Sequence, residues 1–230
     1  MAAPPPLSMA GVSRRQLHVV MILDCSGSMT GDRIASLNYA MRTALPELRA
    51  VADDNPEVDL RVRAIRFAST AEWHIEKPVA PGEVIWEELD AGGESNLGEA
   101  LSMVADAFES DAMEGRQLPP VVVLVSDGLP TDDFNRGLER LFASELADSA
   151  IRIGIAIGTD ADQNTLRAFI RHPTMQPLRA SNATDLIQHI KWATTAPVKA
   201  ASSPANAADP MVPIAQSADI AEPPPSDIVW

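Results

Sequence analysis

The sequence predicts an α/β fold, with a mostly parallel central sheet, one antiparallel edge strand and helices on both faces. Three observations lead there. Short apolar runs alternate with longer stretches whose apolar residues recur every three to four positions. The run Val121-Val122-Val123-Leu124-Val125 is unbroken, as a strand covered on both faces requires. Residues 59–68 alternate and are followed at once by 71–76 through Ala68-Ser69-Thr70, which reads as the one hairpin.

In chain order, residues 1–15 form a Pro-rich lead-in and 17–24 the first strand. From Asp32 to Val51 the residues Ile34, Leu37, Met41, Leu45 and Leu48 mark an amphipathic helix. Pro46 falls late in it and is expected to bend or shorten it. After the hairpin, Leu97, Leu101, Val104 and Phe108 line one stripe of a helix over 96–110. Residues 120–126 are the buried strand. A helix over 132–148 presents Phe134, Leu138, Leu141 and Phe142. Residues 151–157 give another strand, 162–171 a short helix, the neighbourhood of Leu178 a short edge strand, and 183–194 a last helix.

These elements place one domain over 16–195. Beyond it Ala, Pro and Ser dominate, so 196–230 reads as a disordered tail. Removing 197–230 is expected to leave the melting temperature nearly unchanged. The tail ends in Pro223-Pro224-Pro225-Ser226-Asp227-Ile228-Val229-Trp230. Its apolar Ile228, Val229 and Trp230 read either as a short docking peptide or as an unremarkable tail end.

Of the 230 residues, 46% are hydrophobic but only 4% aromatic, so the core must be built from Val, Ile, Leu and Ala. A net charge of −14 repels phosphate backbones and anionic lipid, which excludes nucleic acid as a partner class. No basic start followed by an apolar run marks a signal peptide, and no stretch reaches the ~18 apolar residues of a membrane span. Cys25 is the one cysteine, so no intramolecular disulfide can form. A cytoplasmic protein without membrane insertion is expected. Cys25 reads as a small buried residue at a strand end, with a redox-sensitive thiol as the alternative.

The first strand runs into Leu23-Asp24-Cys25-Ser26-Gly27-Ser28-Met29. Asp24, Ser26 and Ser28 thus place a carboxylate and two hydroxyls on one short loop. These are hard oxygen donors of the kind Mg²⁺ prefers. Asp-x-Ser-x-Ser directly after a buried strand resembles the metal-ion-dependent adhesion site of von Willebrand factor A (vWA) domains.

The resemblance implies a Rossmann-like vWA fold and two further oxygen ligands downstream. Where the family often has Gly-Gly-Thr-x-Leu-Gly, this chain has Gly92-Gly93-Glu94-Ser95-Asn96-Leu97-Gly98, with Ser95 at the Thr position. Where the family has an Asp after an apolar strand, followed by Gly, this chain has Ser126-Asp127-Gly128-Leu129-Pro130-Thr131-Asp132-Asp133. By resemblance, Asp24, Ser26, Ser28, Ser95 and Asp127 hold one Mg²⁺, with Mn²⁺ or Ca²⁺ as alternatives. Ser26 and Ser28 are direct ligands, the distal Asp is commonly water-bridged, and one position is left for a partner protein's Asp or Glu. Ser95 keeps the hydroxyl but lacks the methyl that restrains a Thr rotamer. Asp24 and Asp127 follow strands, where open α/β sheets bind ligands.

Asp132 and Asp133 are expected to N-cap the helix that follows, with a second cation as the alternative; Thr131 shares the capping expectation. Glu94 reads as a solvated loop residue or as a competing carboxylate. His18, His74, His172 and His189 have no metal-ligand spacing. Ser26 and Ser28 lack recognisable triad partners, and neither a Gly-x-Ser-x-Gly elbow nor a P-loop is present, so an enzyme is not expected.

Within the family, residues 16–195 are most similar to small bacterial vWA proteins of tellurite-resistance and stress-response systems. That similarity implies an adaptor or scaffold working with protein kinases and metal-dependent phosphatases. The second reading is a substrate-recruiting subunit of an ATPase-driven, chelatase-like complex.

Overall fold

The computed structural model describes residues 14–110 and 118–202. Strand β1 spans Arg15–Asp24 and helix α1 Asp32–Asp53. The hairpin is β2, Val58–Phe67, with β3, Ala71–Val79. Helix α2, Leu97–Ser110, precedes β4, Val121–Ser126. Helices α3, Phe134–Ala143, and α4, Glu145–Asp148, lead to β5, Ile151–Ile157. Helix α5, Gln163–Ile170, strand β6, Leu178–Ala180, and helix α6, Ala183–Ser202, complete the described chain.

Six strands form one sheet in the order β3-β2-β1-β4-β5-β6. All neighbours are parallel except β2 and β3, so the antiparallel strand lies at an edge, as the sequence predicts. The register pairs Leu23 with Val125, which brings the carboxyl ends of β1 and β4 side by side. Strand order reverses between these two strands, and that switch point is where such sheets open a binding crevice.

Residues 17–24 of β1 and all of β4 and β5 are buried, so both sheet faces are covered. On one of them α1 packs against α6, and elsewhere α2 packs against α3. The core is aliphatic, with Phe67 and Phe169 its largest fully buried side chains. The α2–α3 contact is unusually close. A Cβ on Gly98 would lie 2.5 Å from the Asp133 carbonyl, and one on Gly137 would strike the Gly98 backbone. Backbone meets backbone there, and only glycine permits it.

Three expectations need correction. Pro46 does not shorten α1, which continues to Asp53 with Leu37, Met41, Leu45 and Leu48 buried. The predicted helix over 132–148 is two helices. Ser144 is extended between them (φ −82°, ψ 122°), and its hydroxyl accepts the Ala147 N–H. The apolar spacing hides this break because Leu146 still falls four residues after Phe142. Finally, α6 does not stop at 194. It passes Pro197 to Ser202, and Val198 is fully buried in the core. The tail boundary at 196 is therefore too early. The lead-in up to residue 13 and the end Ile228-Val229-Trp230 lie outside the described residues.

Among the described residues no helix is long and apolar enough to cross a membrane.

Burial of Val198 reverses the expectation for truncation at 197. A chain ending at 196 is expected to melt several degrees below one ending at 202, and Val198→Ala to lose about 1–3 kcal/mol of stability. Thermal denaturation of the three chains checks this; equal melting temperatures would show that the last turns of α6 add nothing.

Candidate functional site

Asp24 ends β1 with no exposure to solvent. Its Oδ1 accepts the Ser26 N–H at 2.9 Å, and its Oδ2 accepts the Ser126 hydroxyl at 2.6 Å. The Ser126 oxygen in turn accepts the Gly128 N–H at 2.8 Å. Burial pushes the Asp24 carboxyl above its ordinary pKa; the hydrogen bonds from Ser126 and Ser26 pull it down, and the nearby charge of Asp127 pushes it up again.

After Cys25 the chain makes a short 3₁₀ turn, Gly27–Met29, anchored by fully buried Met29. The turn sets Ser26 Oγ 3.0 Å from Ser28 Oγ, with Ser26 buried and Ser28 exposed. The loop before α2 is stitched to this turn. Gly92 N–H donates to Cys25 O at 2.8 Å, and Gly27 N–H donates to Gly93 O at 3.0 Å.

The same loop is stitched to the segment after β4. Ser95 N–H donates to Thr131 Oγ1 at 2.9 Å, and Thr131 N–H donates to Ser95 O at 2.8 Å. Ser95 is 5% exposed, and its Oγ is buried with no hydrogen-bond partner among the described residues. Asp127, 3% exposed, follows β4 directly, and its carbonyl accepts the Asp162 N–H at 2.7 Å. The three loops carrying Asp24, Ser26, Ser28, Ser95 and Asp127 are thus joined by backbone hydrogen bonds and centred on the ends of β1 and β4.

The acidic pair after Thr131 splits its work. Asp133 caps α3 as expected, accepting the Arg136 N–H. Asp132 instead accepts Gly98 N–H at 2.9 Å and Glu99 N–H at 2.8 Å, so it caps α2, not the helix that follows it in sequence. Glu94 is exposed, in keeping with a solvated loop residue.

Two residues escaped the sequence reading. Ser126, which holds Asp24, could have been found from strand register, since it lies one residue past the Leu23–Val125 pair. Arg33, in the first turn of α1, has Nη1 3.8 Å from Asp127 Oδ2 and Nη2 2.8 Å from Asp160 Oδ1. No local pattern announces it. No group of three or more His, Cys, Asp or Glu side chains able to hold a metal occurs among the described residues. Any metal here would therefore rely on hydroxyls beside Asp24 and Asp127.

The model of the von Willebrand factor type A domain family matches residues 18–191. The chain belongs to that family. vWA domains generally mediate protein–protein interactions, often through a divalent metal.

This vWA chain is 26% identical over 156 residues to inter-alpha-trypsin inhibitor heavy chain H2 of Sus scrofa, a match over 65% of the chain but only 16% of that protein. Among solved structures it is similar to a von Willebrand factor type A protein from Catenulispora acidiphila (TM-score 0.59, 16% identity, 79% of this chain and 42% of that one). It is also similar to the ArnB paralog VWA2 from Sulfolobus acidocaldarius (TM-score 0.55, 19% identity, 78% and 45%). BatB from Bacteroides thetaiotaomicron matches at TM-score 0.54 and 15% identity, over 78% of this chain and 98% of that one. At these identities the structural likenesses show the fold alone.

Cys25 sits inside this vWA site region but is 1% exposed, and its thiol is pushed up to about 12 by burial first and by the Asp24 charge second. At pH 8 iodoacetamide is expected to label it only once the protein is unfolded. Mass spectrometry of native and denatured samples checks this, and rapid native labelling would restore the redox reading.

Proposed function

We propose that this vWA domain is a metal-dependent protein-interaction module. In this reading Asp24, Ser26, Ser28, Ser95 and Asp127 hold one Mg²⁺, with Mn²⁺ or Ca²⁺ as alternatives, and a partner protein supplies an Asp or Glu. The observation that carries it is the Ser95 hydroxyl. A buried hydroxyl left without a partner costs on the order of 1–3 kcal/mol, so its oxygen is open to a ligand. Two buried carboxylates on the loops joined to it, Asp24 and Asp127, are the anions a hard cation would require.

When bound, the metal would supply an electrophilic position for a carboxylate oxygen. The chain's own groups prepare for it. Ser126 and the Ser26 amide fix the Asp24 carboxylate, and the Thr131–Ser95 pair fixes the second loop. Ser28 is the exposed member of the set and the natural point of contact with a partner. A binding module is favoured over an enzyme because the Ser26 and Ser28 hydroxyls hydrogen-bond each other rather than a histidine base. The sequence resemblance supports a finer assignment: an adaptor in a bacterial stress-response or tellurite-resistance-like system, with a protein kinase and a metal-dependent phosphatase among its partners.

Calorimetric titration of chelator-treated protein is expected to show one Mg²⁺- or Mn²⁺-binding site, lost in Asp24→Ala and in Asp127→Ala. Unchanged binding in both variants would remove the site. The pH dependence has a definite sign. A raised carboxyl pKa means that protons compete with metal, so affinity falls as pH is lowered through the Asp24 transition. In chelator, the Asp24 contribution to stability is present below its ordinary pKa and is lost as pH rises through the raised one.

For the partner, Ser28→Ala is expected to leave the melting temperature within about 1 °C, since an exposed hydroxyl is removed without opening a cavity. It should nonetheless weaken capture of the partner in Mg²⁺. A pull-down with the same recovery in chelator, in Mg²⁺ and with this variant would place the interface elsewhere.

A further inference from the structure

Resting on the metal reading above, we infer that Arg33 sets the affinity of the site by competing with the metal for Asp127, and that Asp160 governs the competition by holding the guanidinium. The geometry is a cation between two anions. Nη2 makes a 2.8 Å hydrogen-bonded ion pair with Asp160 on the loop after β5. Nη1 lies 3.8 Å from Asp127 Oδ2, beyond hydrogen-bond reach but close enough for strong Coulomb attraction. It also lies 3.4 Å from the Ser28 carbonyl. The Arg33 side chain is 17% exposed, so water screens these interactions only in part, whereas the Asp160 side chain is 69% exposed.

Two features show that the placement is specific. Arg33 occupies the first turn of α1, where the helix dipole disfavours a cation, so the carboxylates must hold it there. The loop after β5 also approaches it closely. Gly158 has φ +87°, and an added Cβ would lie 2.6 Å from Arg33 Nη2 and 2.7 Å from Asp160 Oδ1.

The charges then set the signs. A divalent cation and a guanidinium sharing Asp127 repel each other, so Arg33 weakens metal binding. Asp160 draws the guanidinium away from Asp127 and relieves that penalty. Removing Arg33 should tighten metal binding; removing only Asp160 should loosen it. The two effects should not add, because Asp160 acts through Arg33.

The test is a double-mutant cycle on the full chain, with Mg²⁺ and Mn²⁺ titrated into chelator-treated protein. Arg33→Gln is expected to bind roughly tenfold tighter, and Asp160→Asn several-fold weaker, on the order expected for one charge at this distance and partial exposure. The double variant should match Arg33→Gln, and Arg33→Lys, which keeps the charge, should stay within about twofold of wild type. Equal or weaker binding in Arg33→Gln overturns the inference and makes Arg33 a structural tie. The same loss from Asp160→Asn in both backgrounds also overturns it, since that is a simple field effect. Asp160→Asn changes an exposed side chain, so its sign is readable even if the Arg33 variants fold poorly. A wild-type protein that binds neither ion overturns the metal reading, and this inference with it; a wild-type protein that binds while Arg33→Gln is unchanged removes this inference alone.

Discussion

A carboxylate with no access to water terminates a central strand of this sheet, and much of the local architecture answers to it. Asp24 ends β1 between β2 and β4, one of the two central positions in the strand order. An ionised group there is tolerated only with its oxygens satisfied. Ser126 arrives from the neighbouring strand end and the Ser26 amide folds back from the next turn. Those two bonds dictate that β1 and β4 end in register and that the chain turns sharply after Cys25. Asp127 follows close by and adds a second buried negative charge. Two like charges at adjacent strand ends cost stability, and Arg33 offsets only one of them.

The fold class was legible because burial on both faces writes apolar runs into the strands; residues 121–125 are an unbroken one, and 151–157 keep Ile at every second position around Arg152 and Gly154. What escaped were places where composition and conformation part company. The segment Ala193-Thr194-Thr195-Ala196-Pro197-Val198 looks like linker, yet alanine is the best helix former, and Ala193, Thr194 and Val198 are buried and tie the segment to the core. Ser144 breaks a helix whose apolar rhythm carries on across the break.

The candidate site divides in the same manner. Asp24, Ser26 and Ser28 are contiguous, and Ser95 and Asp127 stand in short recognisable loops. The groups that support them could not be read locally. The Ser126–Asp24 bond spans 102 residues of sequence and the Arg33–Asp160 pair 127. Asp132 likewise serves a helix whose first turn lies more than thirty residues before it.

The glycine contact between α2 and α3 has a mechanical meaning. Where side chains separate two helices, a rotamer change can absorb a small shift of one against the other. Gly98 and Gly137 leave no such cushion. Asp132 further bolts the start of α2 to the segment before α3, and on the outer surface Arg140 of α3 clamps Asp106 and Glu109 of α2. The pair therefore behaves as one lever. A displacement of the Ser95 loop, at the tip of α2, would then be shared by both helices instead of being absorbed where they meet.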